Sequence, residues 1–336
     1  MKPKLFLVFS LIGISKIYAQ TDKSIAIKKM RDSMKLVYLT ELAKRQPALR
    51  QGSFSVDFVG KGNVESKANG QTIYKGEAKI TRIKSNFNVP ISTWGKNSLS
   101  ASFNYVQQHF NFGENTTGGL PLEGTRATKA AVGFSGTFVR ADSLFKHPVV
   151  YSLSMSAFTD ELSSIKRLNY TGAIFFPLKT TQNTVITAGV VVVLDPSSAI
   201  PAAPFFGYWH RFSNSKLEFT AELPSNLTLR LPVSAKTWVT FGTAVDQNYT
   251  FFNYNEPLYS LDLVQNVLDL KTSLNIERMI TKKLVVGLRG GVITTLSSRI
   301  FQNGKRQSEY LANNSNSAVP FVNFSISFLP FLKTLK

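Results

Sequence analysis

The 336-residue chain has no cysteine and only three histidines. Without cysteine there is no disulfide, no thiolate metal site and no cysteine nucleophile. His109, His147 and His210 lie in separate segments, and none sits in H-E-x-x-H or another zinc spacing. Beyond residue 19 no run of about 18 apolar residues occurs, which excludes a transmembrane helix. Acidic residues are scarce too, 20 Asp+Glu against 39 Lys+Arg. Aromatics are abundant instead, with 26 Phe and 11 Tyr at a mean hydropathy of −0.02. Such a chain carries much apolar surface, broken into short pieces.

The first 19 residues read as a secretory signal peptide. Lys2 and Lys4 form a basic start, Leu5 to Ile14 an apolar stretch too short to span a bilayer, and Ala19 the cleavage site with Ile17 at −3. No cysteine follows, which excludes a lipoprotein anchor. Residues 20–52 form a basic N-terminal arm, partly helical. Ile27, Met30, Met34 and Val37 recur at helical spacing, Lys28, Lys29, Arg31, Lys35, Lys44, Arg45 and Arg50 make the arm basic, and Pro47 ends the helix. Two roles fit, a loosely packed leader or a plug for a pore, and the leader is the simpler.

From Ser53 to the end the apolar period is two. In "AVPFVNFSISF" (318–328), Val322, Phe324, Ile326 and Phe328 share one face while Asn323, Ser325 and Ser327 share the other, as successive strand side chains do. About fourteen segments follow this rule: 53–66, 78–93, 97–112, 126–142, 148–160, 165–179, 183–195, 203–214, 216–224, 226–234, 237–252, 266–280, 283–300 and 318–330. Twelve is the next even number. In "KLEFTAELPSNLTLRLPVS" a Pro224-Ser225-Asn226 turn joins two apolar faces. If Leu223 pairs with Leu227, Thr220 faces Arg230, with Glu218 and Glu222 its diagonal neighbours.

Long polar connections (67–77, 113–125, 253–265, 301–317) alternate with short ones such as "TWGKN", "TTQN", "NSK", "SAK" and "TKK". That alternation suits a barrel with one rim outside the cell and one in the periplasm. Several segments exceed the usual strand length. Their polar faces are mostly Ser, Thr, Asn and Gly, as a wet lumen requires. In hydrocarbon every backbone group needs an internal partner, which a closed barrel supplies and an open sheet edge does not. Aromatics such as Phe110, Phe112, Phe175, Phe176, Tyr208, Trp209, Phe251 and Phe252 cluster near segment ends, like an interfacial girdle.

From about residue 53 the chain resembles the outer-membrane β-barrel families of Gram-negative bacteria, those of unknown function with porin-like architecture. "PFFGYWHRFSNSKLEFTAELPSNLTLRLPVS" and the late "FVNFSISF" strand carry the resemblance. It implies a closed antiparallel transmembrane barrel over 53–336 in the cell outer membrane, with a terminal strand read by the barrel-assembly machinery. Leu329 to Lys336 follow that strand, so the signal is not strictly C-terminal. The resemblance transfers no catalytic residue.

No chemistry-bearing motif stands out. "GFSG" at 133–136 is not the G-x-S-x-G elbow, and "LRGG" at 288–291 is not a phosphate loop. His210 shares strand parity with Phe206, Tyr208 and Phe212 and reads as an interfacial side chain. A lipid-modifying enzyme would need a Ser nucleophile and an orienting group that nothing here fixes. The expectation is therefore no enzyme, no catalytic, cofactor-binding or metal residue, and no cofactor. The basic charge suits anionic lipids, lipopolysaccharide included, and excludes nucleic acid by compartment. Lys79, Arg82 and Lys84 would favour anions if they line a lumen. The leading expectation is a passive channel or transporter-like pore for small, perhaps anionic, solutes. The alternative is a structural or adaptor barrel with a plugged lumen that binds envelope partners.

Overall fold

A computed structural model describes residues 36–114, 126–161, 163–195, 198, 201–256 and 259–332; the expected signal peptide and the Ile27–Met34 part of the arm fall outside them. Residues 36–45 are helical, and a short 3-10 turn, Pro47–Leu49, leads into the sheet. Fifteen strands follow: β1 Gly52–Ala68, β2 Gln71–Trp94, β3 Asn97–Phe112, β4 Arg126–Leu144, β5 His147–Thr159, β6 Arg167–Thr180, β7 Thr184–Leu194, β8 Ala202–Arg211, β9 Glu218–Leu223, β10 Asn226–Pro232, β11 Thr237–Glu256, β12 Tyr259–Met279, β13 Leu284–Gln302, β14 Ala312–Asn316 and β15 Val319–Phe328.

Each strand pairs antiparallel with its chain neighbour from β1 to β13. β14 and β15 then lie end to end, both between β13 and β1, and close the sheet. The two make one stave, so the molecule is a closed barrel of fourteen staves, the architecture of outer-membrane barrels. All fourteen alternating segments of the sequence are staves. β1 and β15 pair Phe54 with Ile326, Val56 with Phe324 and Phe58 with Val322, which puts the apolar letters of both strands on the outer wall. That wall continues through Phe134, Leu153, Leu229, Phe241, Leu274 and Leu288, each at least 40% exposed. A soluble domain does not present such a belt around its whole circumference, and hydrocarbon is the solvent that suits it.

The structure moves three sequence expectations. The β9–β10 turn sits one residue earlier in the chain than expected. Ser225 N donates to Glu222 O (2.7 Å), Asn226 pairs with Glu222, and Glu218 rather than Thr220 faces Arg230. The long connections expected at 67–77 and 253–265 are mostly strand: β1 and β2 meet at an Asn69-Gly70 turn, and β11 and β12 extend to Glu256 and Tyr259. Turn-type residues there (Asn69 and Gly70; Asn253, Asn255 and Pro257) interrupt the sequence pattern while the ladder continues. Asn69 and Gly70 have φ of 49° and 78°, the left-handed pair that a two-residue hairpin needs. Third, the described part of the arm is not loosely held; it is built into one end of the barrel, as follows.

Staves β9 and β10 have six and seven residues, whereas β11 and β12 have 20 and 21. β11 pairs with β10 only up to Ala244, and beyond it has β12 alone. Released from β10, the β11–β13 extension folds into the barrel mouth. Phe251, Val264 and Phe301, outward by strand parity, are buried against Ala131 on the inner face of β4, with Phe158 and Tyr249 packed around them. The Phe158 and Tyr249 rings lie 5.5 Å apart, and the Arg167 guanidinium sits 4.7 Å from the Tyr249 ring.

Candidate functional site

What a barrel of this kind does depends on its lumen, and here the arm and wall side chains reach into the lumen at two levels. The first is the rim where residues 36–51 of the arm meet residues 329–332. Arg50 is 4% exposed. It donates from Nη1 to Glu277 Oε1 (2.5 Å) and Ser327 Oγ (3.0 Å), and from Nε to Ala43 O (3.2 Å). Glu277 also accepts from Trp238 Nε1 (2.7 Å). Glu218, 1% exposed, lies between three guanidiniums: Arg211 (2.6 Å), Arg230 (3.0 Å) and Arg45 of the arm (3.7 Å). Arg45 also covers the Trp209 ring at 4.6 Å, and Gln46 Nε2 donates to Glu222 (2.7 Å).

Apolar contact completes the seat. Ala43, Trp238, Val285 and Leu329 form one buried cluster with Met279 against it. The C-terminal tail closes over the arm: Phe331 N and Leu332 N donate to Gln51 Oε1 (3.0 and 2.9 Å), and Lys283 Nζ donates to Pro330 O (2.6 Å). Burial lowers the Lys283 pKa from its ordinary value. The arm's cations therefore meet carboxylates that the barrel wall has already desolvated. Removing one partner of such a pair costs far more than the pair is worth over an apolar replacement.

The second level is a band of charge across mid-lumen. Lys84 Nζ lies 2.7 Å from Asp246, Lys271 Nζ 2.8 Å from Asp57 and 2.9 Å from Asp246, and Arg82 3.5 Å from Asp269. Arg82 Nε donates to Gln108 (2.9 Å), whose amide donates to Thr250 Oγ1 (2.6 Å); Asn323 donates to Asp57 (2.5 Å) and Thr295 to Asp269 (2.9 Å). These contacts join β1, β2 and β3 to β11 and β12, three to six staves away around the wall. Arg82, Asp57 and Asp269 are each no more than 3% exposed. Three cations meet three carboxylates, so the band is balanced. Beside it a cavity of about 70 Å³ remains, lined by Arg82, Gln108, Asp269 and Thr295 with Ile80 and Phe110. A polar-lined cavity of this size has room for water.

Of the cations expected to favour anions, Arg82 and Lys84 face the lumen but are spent on carboxylates. Lys79 is exposed, on the outward parity of β2. His210 lies on the outer wall of β8. Its Nδ1 is 2.9 Å from Thr184 Oγ1, and its ring stands edge-on to Phe212 at 4.9 Å beside Tyr208. No carboxylate lies within ion-pair distance of it among the described residues. His109 sits on the outer face of β3 against Thr128 (2.8 Å), and His147 is exposed at a turn. Sequence reasoning gave no role to Asp57, Asp246, Asp269, Lys271 and Glu277, and placed Glu218 only diagonally to Arg230. Asp269, Lys271 and Glu277 share one face of β12, as Glu218 and Glu222 share one face of β9. Those charges were visible; the partner across the lumen was not.

No family model and no curated protein matches the sequence. Among solved structures the chain is similar to an outer membrane channel from Pseudomonas putida F1, at 7% identity over 83% of this chain and 96% of that one (TM-score 0.35). It is similar to the outer membrane protease OmpT from Escherichia coli, at 9% identity over 83% and 97% (TM-score 0.28). It is also similar to a mutant of the monoaromatic hydrocarbon channel TodX, at 8% identity over 84% and 91% (TM-score 0.31).

Proposed function

We propose that this chain is a channel-type barrel of the outer membrane, without enzymatic activity, whose lumen is held shut by its own N-terminal arm. The observation that carries this reading is the seat of Arg50. A guanidinium from outside the barrel staves is buried against Glu277 and Ser327 on the inner wall. A wall that buries carboxylates for an arm to neutralise is built to hold that arm, and a leader with no role needs no such seat. The balanced mid-lumen charges give no preference for anions, so the solute class is left to experiment.

The mid-lumen band supports a second reading, a permanently plugged barrel that serves as an anchor or adaptor. Lys84–Asp246 and Lys271–Asp57 span the lumen without help from the arm. Planar-bilayer recording separates the two. The full chain should be silent, and deletion of residues 20–50 should produce conductance steps. If that deletion stays silent, and stays so with Lys84→Ala and Asp246→Ala added, the channel reading fails and the anchor reading stands.

A further inference from the structure

The lumen is packed on one side only. On β1, β2, β12 and β15 the inward residues are polar and buried: Asp57, Arg82, Asp269 and Asn323 are all 8% exposed or less. The opposite wall differs in both respects. By parity with outward Ile174, Val190 and Phe206, the inward residues at the centre of β6–β8 are Ala173, Phe175, Gly189, Val191, Ala203 and Phe205, bordered on the same face by Thr171 and Thr187 and, towards the strand ends, by Arg167 and Arg211. The six central residues are apolar and part-exposed. Phe175 and Phe205 meet edge to face at 5.0 Å. The strand "TVITAGVVVVL" is accordingly apolar on both faces, a pattern that a strand with lipid on one side and a polar lumen on the other does not need.

This wall lies beside a notch. β9 begins to pair with β8 only at Phe206, so Ala202–Phe205 have no partner on that side. β11 beyond Ala244 has lost β10 and turned into the mouth. At ~3.4 Å per residue and ~40° of tilt, staves of six or seven residues rise about 16–18 Å, short of the ~25 Å apolar band of an outer-membrane barrel. Beyond Ala188, which lies in the row of Leu223 and Phe206, outward Val190, Val192 and Leu194 of β7 continue the lipid-facing belt, and Leu194 is 67% exposed. The notch thus opens at hydrocarbon depth, and the apolar inner wall is continuous through it with the apolar outer wall.

We propose that the inner face of β6–β8 is a binding site for an apolar hydrocarbon group that enters sideways from the bilayer between β8 and β11. The occupant is a lipid acyl chain or a free hydrocarbon; the chemistry that the wall recognises is the same. Apolar surface facing a lumen is unfavourable when wet, and a guest of this class removes that cost. The site makes no use of the arm, so its test and the conductance test fail separately.

The absence of cysteine gives a clean background for single labels. Val191→Cys (inner wall), Val190→Cys (outer wall) and Ser325→Cys (polar inner wall) would each carry a bimane fluorophore in the full chain, reconstituted in vesicles of 9,10-dibromostearoyl phosphatidylcholine. The heat-dependent gel shift checks folding, and Ala203→Cys replaces Val191→Cys if that variant does not fold. The expectation is quenching at Val191→Cys of at least half that at Val190→Cys, with Ser325→Cys nearly unquenched. This outcome identifies an acyl chain. If brominated lipid fails but added 4-bromotoluene quenches Val191→Cys and not Ser325→Cys, the guest is a free hydrocarbon. If neither quencher distinguishes Val191→Cys from Ser325→Cys, the chamber is filled by protein or water and the proposal is overturned.

Discussion

The seat of the arm can be tested on one ion pair. Arg50 and Glu277 side chains are 4% and 5% exposed and 2.5 Å apart. In Arg50→Ala, Glu277 keeps the Trp238 Nε1 hydrogen bond but loses its counter-charge, inside a wall that water reaches poorly. Breaking a buried pair from one side costs about 3–5 kcal/mol. The cost falls on docking of the arm, because the barrel ladders close without Arg50. At about 1.4 kcal/mol per factor of ten, the undocked population rises ~150- to ~4,000-fold. Lys44 and Arg45 lie in the docked helix, so trypsin reports this population directly when cleavage is slow relative to reclosing. Cleavage after these residues should accelerate by about that factor in vesicles, while the heat-dependent gel shift of the barrel barely moves. The double variant Arg50→Met/Glu277→Met should recover most of the protection, since replacing both partners of a buried pair by apolar groups is often neutral. If Arg50→Ala changes the rate less than about threefold, or if the double variant is worse than the single, the electrostatic latch is wrong and the arm is held by the Ala43, Trp238, Val285 and Leu329 cluster alone.

Three further outcomes follow from the geometry. Phe324→Arg, on the outer wall against Phe58 (ring centroids 6.3 Å), should destabilise the barrel in vesicles by about 2–4 kcal/mol in a denaturant titration, with less than about 1 kcal/mol refuting its placement at mid-bilayer depth. Gly70→Val places a β-branched residue at φ 78° in the β1–β2 turn and should cost of order 1–3 kcal/mol in the same titration, whereas Asn69→Gly should be tolerated. At the turn rim, hydrogen bonds from Lys96, Arg140 and Ser143 N hold the Asp142 carboxyl well below the ordinary carboxylate range. Its contribution is thus present above the unfolded value and lost as pH falls through the lower folded one. Because the group is exposed, NMR titration should find the depressed value at low salt, and high salt should return it towards the ordinary range.

How much of this was legible beforehand follows from range. Strand alternation is a local property, so "FVNFSISF" declared its two faces without help from the rest of the chain. Fourteen such segments, set against the absence of cysteine and of any long apolar helix, were enough for a closed barrel with an apolar exterior. Where Asn, Gly and Pro crowd a segment, as at 67–77 and 253–265, it reads as a loop, and the strands continued unseen. The Glu218–Arg230 register turned on a one-residue shift in the position of the turn, which "LPSN" does not specify. The plug, the cross-lumen band and the β8–β11 notch depend on pairings between residues up to 281 positions apart. Arg50 and Glu277, or Lys84 and Asp246, are ordinary charges in sequence; only closure of the barrel sets them face to face. Sequence alone thus determined which solvent each side of the sheet meets, because that choice repeats every two residues. What fills the interior was decided by the tertiary structure, because a lumen contact is fixed by stave order, strand length and curvature, and no short stretch of chain encodes any of them.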